Sequence, residues 1–154
     1  QKGNDIMGLA DFERIGQSLS NRSTLSIDEQ GNNVAFLVDY QATVNVSNNN
    51  QIARVYTFNN LNNLWEKKGN DITNPSGGFT DIFISEDGTI LTVVESISDN
   101  RIKRYYFSNG LWLQEGSALL FPNEDNLINY SKMENNTLII DTSNGYGLFF
   151  VKRF

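Results

Sequence analysis

The sequence contains neither cysteine nor histidine. The absence of cysteine excludes a disulfide framework. This absence fits a reducing compartment, or an extracellular fold large enough to be stable without cross-links. The absence of histidine removes the commonest general base and the commonest metal ligand. Ser-His-Asp catalysis, Cys-His catalysis and zinc chemistry are therefore excluded.

Positive charge and long apolar runs are also scarce. The chain has 12 Lys and Arg against 18 Asp and Glu, a net charge of -6 and a pI near 4.6. A nucleic-acid partner normally requires a basic face, so we expect none, and the charge favours solubility. No apolar run approaches the roughly 20 residues of a membrane span, so we expect no such span.

Aromatic residues and asparagine are abundant. With 12% Phe, Trp and Tyr, a chain of 154 residues can form one ordinary domain with a real core. The 22 asparagines suit tight turns. Four of them begin N-x-S/T sequons, about as many as chance predicts, so the pattern does not by itself predict glycosylation. These four are Asn21, Asn45, Asn129 and Asn135.

Short apolar, β-branched and aromatic runs alternate with Asn- and Gly-rich turns, which predicts strands rather than helices. One helical turn is conceivable at Ala10–Ile15, but Gly8 and Gly16 bracket it too closely for a stable helix. The predicted strands are Thr24–Asp28, Val34–Val38, Ala53–Phe58, Leu64–Lys67, Phe79–Ser85, Ile90–Glu95, Ile102–Phe107, Leu111–Glu115, Leu127–Ser131, Thr137–Thr142 and Leu148–Val151.

A regular spacing recurs along the chain. Trp65 and Trp112 are 47 residues apart, as are Gly69 and Gly116, and Leu91 and Leu138. Lys2–Ile6 also matches Lys68–Ile72 residue for residue. Periods of about 40–50 residues with four short strands each are typical of β-propeller blades. We therefore predict a single all-β domain over 1–154, made of three propeller blades of four antiparallel strands. The approximate repeat units are 1–64, 65–111 and 112–154.

The repeat resembles a known group. The pattern W-x3-G-x-D-I, S-x-D-G and R-V-Y or R-Y-Y resembles the FG-GAP-like or hyalin-like propeller repeats of large secreted and surface proteins. This resemblance implies blades and an extracellular or surface location. In the second unit it is carried by Trp65, Gly69, Asp71, Ile72, Ser85, Asp87, Gly88, Arg104, Tyr105 and Tyr106. In the first it is carried by Gly3, Asp5, Ile6, Gly16, Ser18, Gly31, Arg54, Val55 and Tyr56, and in the third by Trp112, Gly116 and Ser131.

Three blades are too few to close a ring, because propellers typically have about four to eight. Two arrangements remain open. Two chains can form a six-bladed ring as a homodimer, or the blades can adjoin neighbouring blades of a longer chain. The chain begins at Gln1 without a methionine, so we expect a processed product or a part of a longer protein.

Four side chains are candidate ligand-binding residues because the motif repeats them: Arg54, Arg104, Tyr56 and Tyr106. Repeated arginines suit anions or acidic sugars, and repeated aromatic rings suit sugar stacking. The same pattern also fits a repeated salt bridge, for example from Arg54 to Asp5 or Asp71, and packing between blades. The predicted structural anchors are Trp65, Trp112, Gly69, Gly116, Asp71 and Gly88.

The carboxylates do not predict chemistry. Asp71, Glu86 and Asp87 are possible calcium ligands, but the D-x-D-x-D-G spacing is absent and the D-G pair suits a hairpin turn. Adjacent pairs such as Glu124-Asp125 are not placed as a general acid and base. We expect no catalytic residue, no metal and no cofactor.

The function expected from the sequence is a non-catalytic binding or assembly module whose partner is a second copy, a neighbouring blade, another protein or a glycan. The alternative is a carbohydrate-binding lectin that uses repeated aromatic, Asn and Asp sites. A third possibility is a propeller-type hydrolase acting through carboxylates only. Such an enzyme needs two converging carboxylates. The predicted inner strands have one carboxylate in their interior, Asp81, and one at an end, Asp28; these strands are Thr24–Asp28, Phe79–Ser85 and Leu127–Ser131.

Overall fold

Strands form along the apolar runs because alternate side chains of a strand point to opposite faces of a sheet. The computed structural model describes residues 2–9, 13–15, 24–40, 50–74, 78–95, 101–120, 128–134, 137–142 and 145–149. All regular structure in these residues is β, and none of them is helical. The prediction of an all-β protein is confirmed.

The described strands form two larger antiparallel sheets and one smaller one. Sheet I contains β1 (Glu13–Ile15), β2 (Leu25–Ile27), β3 (Asn33–Tyr40), β4 (Asn50–Asn59), β5 (Leu64–Lys67) and β6 (Ile72–Thr73). Sheet II contains β7 (Phe79–Ile84), β8 (Ile90–Glu95), β9 (Arg101–Ser108), β10 (Leu111–Gln114) and β11 (Leu119–Leu120). Sheet III contains β12 (Ile128–Glu134), β13 (Thr137–Thr142) and β14 (Gly145–Phe149).

Each sheet is an up-and-down meander. Sheet I has the order β2-β3-β4-β5, with β1 beside the far end of β3 and β6 beside β4. Sheet II repeats it as β7-β8-β9-β10, with β11 beside β9. Sheet III follows the order β12-β13-β14. Within the described ranges no strand pairing joins one sheet to another. Sheets I and II associate through side chains and through one backbone hydrogen bond between their turns, from the Glu29 amide to the Glu86 carbonyl at 3.2 Å.

The strand that carries Trp65 completes sheet I, because β5 pairs with β4 and places Trp65 opposite Phe58. Trp112 likewise lies on β10, opposite Phe107 in sheet II. The tryptophan repeat is therefore out of phase with the sheets: each tryptophan closes one sheet rather than opening the next.

The main core lies between sheets I and II. The front face of sheet I, which we define as the face toward sheet II, presents Ala35, Leu37, Ala53 and Val55. The back face of sheet II, the face toward sheet I, covers them with larger side chains. These are Ile82, Ile84, Leu91, Val93, Tyr105 and Trp112. Small residues against large ones let two twisted sheets pack closely.

The opposite face of sheet I, its back face, has a second core cluster. It consists of Val34, Phe36, Val38 and Tyr56, and the rings of Phe36 and Tyr56 stack with centroids 5.7 Å apart. Ile6, from the segment before β1, packs against this cluster. Sheet I is thus apolar on both faces, like a sheet that lies between two others.

The hairpin turns of sheets I and II use different side chains for one task. The carboxylate of Asp28 accepts hydrogen bonds from two backbone amides at the end of the first turn, at 2.8 and 2.9 Å. The hydroxyl of Ser85 does the same in the second turn, at 3.2 and 2.9 Å. Gly31 and Gly88 hold the left-handed backbone that both turns require.

Several predicted features lie outside the described residues, and Asn129 lies within β12. Those outside are the sequons at Asn21, Asn45 and Asn135 and the Glu124-Asp125 pair. The segment Ala10–Ile15 is described only at 13–15, where it forms a strand, β1, rather than a helical turn.

Gly88→Ala should destabilise the protein more than Gly31→Ala. Both residues have positive φ, so both variants lose about 1 kcal/mol to backbone strain. A Cβ on Gly88 would also overlap the side-chain amide of Asn33 and lie 3.1 Å from Asp28 Oδ2, whereas a Cβ on Gly31 meets nothing within 4 Å. Urea unfolding should show an additional loss of about 1–3 kcal/mol for Gly88→Ala. Equal losses would contradict this packing.

Candidate assembly site

A Lys-Gly-Asn segment joins sheet I to sheet II. Lys68 follows β5 directly, and its carbonyl accepts a 2.8 Å hydrogen bond from the indole Nε1 of Trp112. The side-chain oxygen of Asn70 accepts a 2.7 Å hydrogen bond from the Trp112 backbone amide. Gly69 between them has φ 77°, and a Cβ there would lie 2.9 Å from the Trp112 ring and 3.0 Å from Phe107. Only glycine fits this approach.

The amine of Lys68 connects the turns of both sheets. It donates to the Asn33 side-chain oxygen of sheet I at 2.9 Å and to the Gly88 carbonyl of sheet II at 2.8 Å. It also lies over the rings of Phe107 and Trp112, at 4.9 and 5.7 Å from the centroids. Burial lowers the pKa of Lys68, and the nearby carboxylates of Asp28 and Asp87 oppose that effect.

The segment Lys2–Asn4 makes the same contacts with sheet I. The indole of Trp65 donates to the Lys2 carbonyl at 2.9 Å, and the Trp65 amide donates to Asn4 at 2.7 Å. The Lys2 amine donates to the Gly31 carbonyl at 2.7 Å and lies 4.6 Å from the Phe58 centroid. We call this arrangement, Lys-Gly-Asn against Phe, Trp and a turn glycine, the K-G-N junction.

The third copy of the segment departs from the junction. Glu115, Gly116 and Ser117 stand where the other copies have Lys, Gly and Asn. Gly116 keeps a positive φ of 67°, but a Cβ there would meet nothing within 4 Å. Glu115 instead lies 3.3 Å from Arg104 Nε. A carboxylate cannot replace an amine beside carbonyl oxygens, so this copy cannot form the same junction.

Arg54 is buried on the back face of sheet I between two carboxylates. It binds Glu13 of β1 through Nη1 and Nη2 at 2.8 and 3.1 Å. It binds Asp71, next to β6, through Nε and Nη2 at 2.9 Å each. Burial alone would lower the pKa of Arg54. The hydrogen bonds to Asp71 and Glu13 outweigh that effect, so the net result is a raised pKa. The predicted salt bridge to Asp71 is confirmed.

Arg54 and Arg104 are equivalent in the motif but not in the sheets. Tyr56 pairs with Val34, and Tyr105 pairs with Leu91, so these two tyrosines are the equivalent pair. The position of Arg54 is therefore taken in sheet II by Lys103, which binds buried Glu95 at 2.6 Å. The letter match of R-V-Y with R-Y-Y is off by one residue, which turns the side chains to the opposite face.

The same shift separates the two candidate tyrosines. Tyr56 is buried in the back-face cluster of sheet I, and burial raises its pKa. Tyr105 is buried between the sheets, and burial raises its pKa to about 12, with a smaller contribution from Glu95. Tyr106 is exposed on the front face of sheet II, where it pairs with exposed Leu113. Only Tyr106 of these rings is open to an external ligand.

Two of the carboxylates considered for calcium have other partners: Asp71 binds Arg54 and Lys67, and Asp87 stabilises a turn. Asp87 accepts hydrogen bonds from the Ser85 hydroxyl at 2.6 Å and from the backbone and side chain of Thr89. This matches the hairpin turn predicted there. Among the described residues, no group of three or more carboxylates is placed to hold a metal ion. Asp81 is buried on β7.

The back face of sheet I is incompletely covered at β2. Leu25 and Ile27 are 50% and 56% exposed. Their equivalents by register in sheet II, Ile82 and Ile84, are 0% and 4% exposed because sheet I covers them. Apolar side chains at equivalent positions are thus buried in sheet II and exposed to solvent in sheet I.

Sequence reasoning missed the lysines and asparagines of the junction, although they are identical in Lys2–Ile6 and Lys68–Ile72. The signal that could have identified them was that these polar residues are identical in the two copies. It also missed Leu25 and Ile27, since exposure depends on which sheet covers β2.

No protein-family model matches the chain, and neither does a curated protein or a solved structure. Functional inference therefore rests on the geometry of the sheets. In the part of the chain that the structure describes, no helix has the length and apolar character needed to cross a membrane.

Lys68→Met should destabilise the protein by about 2–4 kcal/mol, because it removes two hydrogen bonds from a charged donor and a cation–π contact while leaving the Gly88 carbonyl without its partner. Lys67→Met is the matched control. Lys67 contacts Asp71 from a partly exposed position, so its loss should cost under about 1 kcal/mol. Urea unfolding followed by tryptophan fluorescence measures both, and equal costs would contradict the role of Lys68.

Asp71→Asn should reduce the acid sensitivity of folding. Burial raises the pKa of Asp71, but hydrogen bonds from Arg54 and Lys67 outweigh it, so the pKa is lowered. A lowered carboxylate pKa contributes stability above the unfolded value of about 3.9, and that stability is lost as pH falls through the folded pKa.

Unfolding free energies measured at about pH 7, 5 and 3 should therefore fall less with acid in Asp71→Asn than in the unmodified chain. Lys67→Met should keep most of the acid dependence, since Arg54 still contacts the carboxylate. The same pH dependence in Asp71→Asn and the unmodified chain would show that the Arg54–Asp71 pair does not couple folding to pH.

Proposed function

We propose that this chain is a non-catalytic assembly and binding module, built of β-propeller blades, that acts outside the cell or on a surface. The location follows from the resemblance of its repeat to secreted and surface proteins. The observation that carries the assembly function is the back face of sheet I, whose Leu25 and Ile27 are exposed while their equivalents in sheet II are covered by a neighbouring sheet.

The placement of the first strands supports blades of a propeller. β2 neighbours β7, and the Ser26 hydroxyl accepts a 3.0 Å hydrogen bond from the Ile84 amide. β7 in turn neighbours β12. Adjacent first strands in successive meanders are what blades arranged around a common axis require.

A second copy of the chain is the partner that we propose for the back face of sheet I. Sheet II presents the equivalent apolar side chains on its own back face, and there sheet I covers them. A further sheet of the same repeat could therefore cover the back face of sheet I in the same way. Two chains then complete a six-bladed ring with closed symmetry. Neighbouring blades of a longer chain are the other source of such a sheet.

Glycan binding is the second candidate, and one observation favours it. Tyr106 and Leu113 form an exposed apolar pair on sheet II, which is a surface on which a sugar ring can stack. Trp65, Trp112 and Tyr56 contribute to junctions and cores instead, so these three rings do not form a repeated set of sugar platforms. Assembly therefore has the stronger support, and a glycan array separates the two.

Leu25→Asp combined with Ile27→Asp should convert a dimer into a monomer, because two carboxylates would have to be buried at the contact. Light scattering should give the unmodified chain about twice 17.4 kDa and the variant 17.4 kDa. Leu61→Asp is the control, since Leu61 is 97% exposed on a turn and its replacement should leave the mass unchanged. An unmodified chain that stays monomeric at high concentration would overturn the dimer.

A further inference from the structure

The two K-G-N junctions are tied to the chain in different ways. Lys68–Asn70 lies between β5 and β6 of sheet I and reaches sheet II from there. Lys2–Asn4 precedes the strands of sheet I and contacts that same sheet through side chains and single hydrogen bonds. It lies in a groove formed by Phe58, Trp65 and the Gly31–Asn32 turn.

The contacts of the two segments agree closely. The lysine amine is 2.7 and 2.8 Å from the turn-glycine carbonyl. The indole donor is 2.9 and 2.8 Å from the lysine carbonyl, and the tryptophan amide is 2.7 Å from the asparagine in both. The same contacts therefore form although the two segments are connected to the sheets differently. This indicates that the contacting residues, rather than the chain connection, specify the junction.

We propose that the groove of Phe58, Trp65 and the Gly31–Asn32 turn is a recognition site for Lys-Gly-Asn segments. The chain's own Lys2–Ile6 occupies it here, and a separate peptide of the same sequence binds it when that segment is displaced. The proposal deepens the assembly function and rests on it, because the same contacts join sheet I to sheet II through Lys68–Asn70. Backbone and side-chain recognition of a short segment is a common mode of peptide binding.

Each residue of the segment has a separate requirement. The lysine must donate to the Gly31 carbonyl and the Asn32 side-chain oxygen, at 2.7 and 2.8 Å, and contact both rings. The glycine has φ 72°, and a Cβ there would lie 2.9 Å from Phe58 and Trp65. The asparagine must accept from the Trp65 amide. The Glu115–Ser117 copy meets only the glycine requirement, so it provides a natural non-binding sequence.

The test uses the full chain carrying Gly3→Ala, which weakens the resident segment and leaves the groove intact. A fluorescent peptide of residues 1–9 is titrated, and its anisotropy is recorded. We expect saturable binding that is at least about tenfold tighter to the variant than to the unmodified chain, whose groove is occupied. Peptides with Gly3→Ala or Lys2→Glu, and a peptide beginning Glu115-Gly116-Ser117, should each bind at least about tenfold more weakly than the original.

A second full-length variant, Lys2→Ala, frees the groove without strain at Gly3 and replaces the first variant if that one does not fold. Equal affinity for the original and the Gly3→Ala peptide would overturn the recognition site, whatever the mass of the chain in solution. Specific peptide binding by a chain that is monomeric when unmodified would keep the site and overturn the dimer. The two proposals thus fail separately.

Discussion

The association of sheets I and II depends on a half-buried lysine amine. Lys68 must keep its hydrogen bonds because an unpaired charged donor at this depth is costly. Its partners come from different sheets, Asn33 from one and Gly88 from the other, so satisfying the amine fixes how the two turns meet. The Trp112 ring and the glycine beneath it then set how closely the connecting segment approaches.

A buried cation, Arg54, and a partly buried one, Lys103, occupy equivalent positions in the two sheets, but their partners differ. Arg54 is neutralised by Glu13 and Asp71, whereas Lys103 is neutralised by Glu95 of the adjacent strand. Since a buried cation requires a carboxylate but not one from a particular strand, the two sheets satisfy one electrostatic need in two ways. These charges are satisfied within the fold, so the proposed contact with a partner rests on the exposed apolar side chains of β2.

Much of the architecture could be predicted because the positions of strands and turns depend on residues that are close together in the sequence. Apolar alternation located the four main strands of sheets I and II, and the 47-residue spacing located Trp65, Trp112 and Gly69. The register could not be predicted: matching R-V-Y to R-Y-Y by letters equated Tyr56 with Tyr106, whereas pairing equates it with Tyr105. Short strands such as β1, β6 and β11 carry too few residues for a period to be visible.

The sequence by itself determined where strands and turns form, since alternation and glycine placement act over a few residues. Only the tertiary structure decided what the repeated residues contact. Lys68 meets Asn33 and Gly88, which lie 35 and 20 residues away along the chain, and Arg54 meets Glu13 across 41. Ile82 is buried and Leu25 is exposed because a neighbouring sheet covers one and not the other, and that difference arises from packing rather than from either residue.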